Sequence, residues 1–141
     1  MLFATVTYVT VMGAITFSQL WQGVGAALIG REAALAGGAG TVAFGLAVHF
    51  GVACLWSAVF VVTYARSSAL RRSVQVIGTM LTSIWYGPFI WVMMQLVLVP
   101  LTRNTTRGLF TPMSAVMTLG HIVFIALPIV AITRRGLDRP A

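Results

Sequence analysis

Two side chains stand out as able to do chemistry, His49 and His121, because each is an imidazole set in an otherwise apolar run of this 141-residue chain. Such a histidine can ligate a metal, carry a proton, or donate a hydrogen bond to a carbonyl or hydroxyl on a neighbouring helix. His49 lies about eleven residues past Gly38, and His121 about nine past Pro112. At ~1.5 Å rise per residue, the two rings differ in depth by only a few ångströms if both helices enter from one side. Both have small neighbours: Gly45 and Gly51 around the first, Gly120 beside the second. Two imidazoles at matched depth can ligate one haem iron or two separate chlorophyll magnesium ions, or they can form a proton path. The cofactor-binding candidates are therefore His49 and His121, with haem b or (bacterio)chlorophyll as the group. In the competing reading the rings simply tie helices together and no cofactor is expected.

Other chemistries find less support. No CxxCH haem-attachment motif and no second histidine pair occurs, and Cys54 is the single cysteine, so neither an internal disulfide nor a CxxC metal site can form. No acidic or basic residue falls inside an apolar run, whereas transport paths usually carry intramembrane ionisable groups. No nucleophile, base and acid come together as a hydrolytic set, and Tyr86 reads as a bundle-facing hydrogen bonder. The expectation is a non-catalytic protein with no bare-metal site.

The elements that must position these residues are set by composition. The chain is 59% hydrophobic and only 8% charged, against about 25% charged in soluble domains. This predicts an all-α, polytopic integral membrane protein forming a single membrane domain over residues 1–141. All nine basic residues are Arg, and they fall between apolar runs without interleaved aromatics. The net charge of +7 is therefore read as membrane topology and not as nucleic-acid binding.

Four spans are predicted, at about 2–18, 41–64, 74–101 and 112–133. A short interfacial or re-entrant helix at about 19–35, with Trp21 at headgroup level, follows the first. A single tilted helix from Leu2 to Ile29 would be longer than the ~20 residues a span needs. Gly37, Gly38 and Gly40 read as a hinge into the second span. That span, 24 residues without a charge, is the expected hub. One small-residue stripe on it runs Thr41, Gly45, His49, Ala53, Ser57; a second runs Ala43, Ala47, Gly51, Cys54, Ala58. Small residues allow close helix approach in lipid, so Thr41, Gly45, Gly51, Ala53, Ser57 and Gly120 are the predicted packing positions. Pro88 and Pro128 are the predicted kinks. Gln75, Thr79, Thr82 and Tyr86 should share one face of the third span, with Trp85 and Trp91 filling gaps between helices.

Four spans put both termini on one side, together with Arg66, Arg71, Arg72, Arg134, Arg135 and Arg139. The other side holds Arg31, Arg103 and Arg107. Six against three predicts cytoplasmic termini.

Several stretches carry a resemblance. "IGREAALAGGAGTVAFGLAVHF", a Tyr-Gly pair in mid-third-span, "LVLVPL" and "LGHIVFIALPIVAITRRG" occur in that order. Together they resemble the YagU-like group of small bacterial inner-membrane proteins, on Gly30, Arg31, Gly37, Gly38, Leu46, His49, Phe50, Pro100, Leu101, Gly120 and His121. The resemblance implies a multi-pass protein of the bacterial inner membrane. Members are mostly of unassigned activity, so it implies architecture and not a reaction. The favoured function is an accessory or scaffolding subunit, with the lipid bilayer and other membrane subunits, or a second copy, as partners. A haem or pigment subunit using His49 and His121 is the alternative, and a small transporter or channel the third.

Overall fold

The computed structural model describes residues 16–103 and 112–138. The expected first span lies outside these, apart from its last three residues. In order, the described elements are α1 (Phe17–Ile29), α2 (Arg31–Ala36), α3 (Gly38–Arg66), α4 (Ser68–Met93), α5 (Pro112–His121) and α6 (Leu127–Leu137). A π-helical turn at Met94–Leu98 and a 3₁₀ turn at Val99–Leu101 prolong α4, and a π-helical turn at Ile122–Ala126 fuses α5 to α6. Among the described residues, three helical stretches are long and apolar enough to cross a membrane: Gly38–Arg66, Ser68–Leu101 and Ser114–Leu137. There is no strand among the described residues.

The predicted interfacial helix at 19–35 is two helices. Gly30, at φ 89°, ends α1 and turns the chain into α2, a conformation open mainly to glycine. Thr16 starts α1 from an extended conformation. Its hydroxyl accepts from the Gln19 amide while the Gln19 side chain accepts from the Thr16 amide. This Thr-x-x-Gln capping box explains Gln19, which in the sequence reads as a break in an apolar run. The 13 residues of α1 reach ~20 Å, about two-thirds of a hydrocarbon core.

The helix α1 lies antiparallel on α3 with backbones nearly touching. A Cβ on Gly45 would land on the Trp21 carbonyl oxygen, and one on Gly25 would sit 3.2 Å from the Phe44 ring and 3.5 Å from Gly45 Cα. Polar groups fasten the same end. Gln22 Nε2 donates to the Gly38 carbonyl and to Thr41 Oγ1, both at 3.3 Å, and the Thr41 hydroxyl donates to the Ala34 carbonyl at 2.6 Å. The Gly37–Gly40 stretch is not a free hinge: α3 begins at Gly38 and Thr41 binds it to α2.

Elsewhere α3, α4 and α6 share the core. Phe60, Tyr64, Val74 and Val130 form one buried cluster, and Trp56, Ile90 and Ile125 another, with Tyr86 and Ile129 against both. Tyr86 donates its hydroxyl to the Trp56 carbonyl at 2.7 Å, the bundle-facing role expected of it. Where α4 crosses the α5–α6 segment, a Cβ on Gly87 would lie 2.6 Å from Ile122 Cγ1.

The spanning helices carry a break that the sequence reading did not include. The interruption in α4 is at Gly78, with φ 81° and ψ 169°, ten residues before Pro88, which sits inside the continuing helix. A positive φ at glycine breaks the ladder without a side-chain clash. Pro128 follows directly on the Ile122–Ala126 π turn. The wider turn lets the chain pass a residue that cannot donate to the ladder. Pro100 follows the Met94–Leu98 π turn in the same way.

Candidate functional site

The predicted candidates His49 and His121 come from α3 and from the end of α5. The His121 ring is buried, and its Nδ1 donates to the Met117 carbonyl one turn back, at 2.7 Å. A carbonyl only accepts, so this bond fixes the proton on Nδ1 and leaves Nε2 with its lone pair. Trp91 packs edge-on against this ring at 5.6 Å. His49 is half-buried, between Trp21 at 5.4 Å and Phe50 at 5.9 Å, both edge-on.

Around the pair lie polar atoms whose pairing the sequence does not predict. Trp21 Nε1, Trp91 Nε1 and Gln95 Oε1 are buried and, among the described residues, have no hydrogen-bond partner. Trp21 and Trp91 belong to the two tryptophan–histidine pairs, and Gln95 follows Trp91 by one turn on the same helix face. Each imidazole thus has one tryptophan against it, and Gln95 adds an acceptor one turn from Trp91. No three of His, Cys, Asp and Glu converge among the described residues. A metal held here would therefore need most of its ligands from a macrocycle. Trp91 was expected as a gap-filler between helices and lies against His121. Trp85, expected in the same role, is 75% exposed on the outside of α4.

The packing positions divide. Gly45 is buried at the α1 crossing, Gly120 is buried beside His121, and Thr41 acts through hydrogen bonds. Ala53 and Ser57 are half-buried, and the Ser57 hydroxyl donates to the Ala53 carbonyl within α3. Gly51 is exposed, and among the described residues a Cβ there would meet nothing within 4 Å, so it is not a contact between the described helices. At 100° per residue it points away from the Gly45 face. The whole second stripe goes with it, since Ala43, Ala47, Gly51, Cys54 and Ala58 are all exposed. Those five fall within an ~80° arc of α3, almost opposite Gly45. Phe50, 63% exposed, and Leu55, 50% exposed, rim the arc.

At the other end of α3 a second polar cluster ties three helices together. The buried Tyr64 hydroxyl donates to Asp138, with oxygen–oxygen distances of 2.9 and 2.8 Å to the two carboxylate atoms. Arg134 lies 3.9 Å from Asp138 and donates to Thr79 Oγ1 at 2.7 Å, just past the Gly78 break. Of the residues predicted to share a face with Thr79, Thr82 is buried and Gln75, before the break, is exposed.

No family model matches the chain, and neither a characterised protein nor a solved structure does.

Proposed function

We propose that the protein is a non-catalytic integral membrane subunit that docks against another transmembrane helix through the exposed stripe of α3. The observation that carries this reading is the seam of Ala43, Ala47, Gly51, Cys54 and Ala58, open along four turns of α3. Small residues at spacings of four and three let a second helix approach to backbone contact, where van der Waals packing drives association in lipid. A helix that met only lipid would gain nothing from such a surface. Bacterial inner-membrane placement with cytoplasmic termini belongs to the same reading, supported by the arginine asymmetry and the YagU-like resemblance. Co-purification in mild detergent tests it. Wild type retains a partner helix, from another protein or a second copy, and Gly51→Leu loses it while its own helix content and stability hold. Retention of the same partners by Gly51→Leu refutes the seam as the interface.

A second reading has an observation of its own. His121 has its Nδ1 proton engaged by a carbonyl and Nε2 free, the state in which a histidine ligates metal. A planar macrocycle such as haem b or a chlorophyll would supply the remaining ligands, and His49 is the second imidazole of the reading. A visible absorbance band in the purified protein, lost in His121→Ala, supports that reading. A colourless protein with wild-type behaviour in His121→Ala leaves the imidazoles as packing residues.

A further inference from the structure

The end of the bundle where α3 stops, α4 starts and α6 stops gathers Arg66, Arg71, Arg72, Arg134 and Arg135 around one described carboxylate, Asp138. That carboxylate is already engaged by Tyr64 and Arg134. The arginines fall into two groups. Arg71 and Arg134 are held inward: Arg71 donates from Nη2 to the Ala65 carbonyl at 2.8 Å and covers the Tyr64 ring at 5.8 Å, and Arg134 is bound to Thr79. Arg66, Arg72 and Arg135 are exposed and, among the described residues, have no polar partner.

These three share one arrangement. Each has an exposed β-branched aliphatic residue one helical turn away on its own face, on the side toward the middle of the bundle. Arg66 has Val62, four residues earlier and 48% exposed; Arg72 has Val76, four later and 79% exposed; Arg135 has Ile132, three earlier and 69% exposed. Residues three or four apart on a helix are surface neighbours. The pattern recurs on three different helices around one rim. It offers a guanidinium at headgroup level and an apolar patch at acyl level, about one ~5.4 Å turn deeper. Guanidinium groups match phosphate oxygens in charge and geometry. A free phosphate would use the charge and leave the apolar patch idle.

We propose that this rim binds anionic diacyl phospholipids, with phosphates on Arg66, Arg72 and Arg135 and acyl chains over Val62, Val76 and Ile132. The inward pair, Arg71 and Arg134, fixes the helix ends that present them. The break at Gly78 serves the same end, because it lets Ser68–Ile77 leave the line of the span while Val74 stays in the core and Arg72 and Val76 face out.

The test uses the full chain in nanodiscs made from equal parts phosphatidylglycerol and phosphatidylcholine, with lipid retained on the purified protein counted by mass spectrometry. Wild type keeps phosphatidylglycerol in preference. Each of Arg66→Gln, Arg72→Gln and Arg135→Gln lowers that preference, by roughly fivefold per residue at a surface carrying this charge, and the triple variant abolishes it. Arg31→Gln, at the opposite end, leaves it unchanged. Among the described residues these side chains have no polar partner, so the variants fold, and unchanged circular dichroism confirms it. Three results would each overturn the proposal: an undiminished preference in the triple variant, an equal loss in Arg31→Gln, or displacement of the lipid by inorganic phosphate alone.

Discussion

Replacing glycines one at a time by alanine reads out where the helices touch, and the structure sets an order for the result. At Gly45 the new methyl would land on the Trp21 carbonyl oxygen, with Gly25 N at 3.2 Å behind it. The obstacle is backbone, so no rotamer change relieves it, and α1 must move off α3. Overpacking of this kind costs about 1–3 kcal/mol, and a backbone obstacle belongs at the upper end. Alanine regains up to ~1 kcal/mol of helix propensity over glycine, leaving a net loss of ~2 kcal/mol for Gly45→Ala. At Gly51 nothing lies within 4 Å, so only the propensity gain applies and the variant should be unchanged or up to ~1 kcal/mol more stable. Gly25→Ala falls between, because its nearest neighbour is the Phe44 ring at 3.2 Å, a side chain that can give. Reversible unfolding in mixed micelles, measured at low protein concentration so that association does not contribute, gives the comparison. A Gly45→Ala variant as stable as Gly51→Ala would refute the α1–α3 crossing.

Three further outcomes follow from the same geometry. Tyr64→Phe removes the hydroxyl that donates to Asp138 and should cost ~1–2 kcal/mol, with hydrogen exchange of the last turn of α6 rising in step. Gly78→Ala should cost ~1 kcal/mol or more despite open space around it, because φ 81° with ψ 169° is a backbone conformation open almost only to glycine; the same unfolding assay should find Gly78→Asn no better tolerated, since Asn is at ease only near the αL region, at ψ of about +47°. His121→Ala loses the Nδ1 bond to Met117 and the Trp91 contact, for ~1 kcal/mol, read by unfolding and by a shift in tryptophan emission.

Much of the helical layout was legible in the sequence, and the departures have physical causes. Apolar runs of span length place α3, α4 and the α5–α6 segment to within a few residues, because burial in lipid depends on length and polarity alone. Faces and breaks are harder. The stripes of Gly45 and of Gly51 look alike in the sequence, since both are rows of small residues; only the position of α1 makes one a contact and the other a surface. The signal that could have placed α1 was present as Thr16 and Gln19, a capping box hidden in an apolar stretch. The break at Gly78 went unread, because a glycine's positive φ has no mark in composition. Matched depth drew attention to His49 and His121, but their partners Trp21 and Trp91 come from other helices at no fixed spacing. Tyr64 and Asp138 are 74 residues apart, and nothing local predicts that they meet.

The outward seam of α3, proposed as an interface within the membrane, carries its own reporter in Cys54, the single cysteine and an exposed one. Intact membranes are treated with a short homobifunctional maleimide and the products identified by mass. The account predicts a cross-link from Cys54 to a cysteine on a neighbouring transmembrane helix, or to Cys54 of a second copy, that disappears in Gly51→Leu. Cys54 that labels freely and singly with a lipid-soluble maleimide, with no cross-link in wild type, would contradict it.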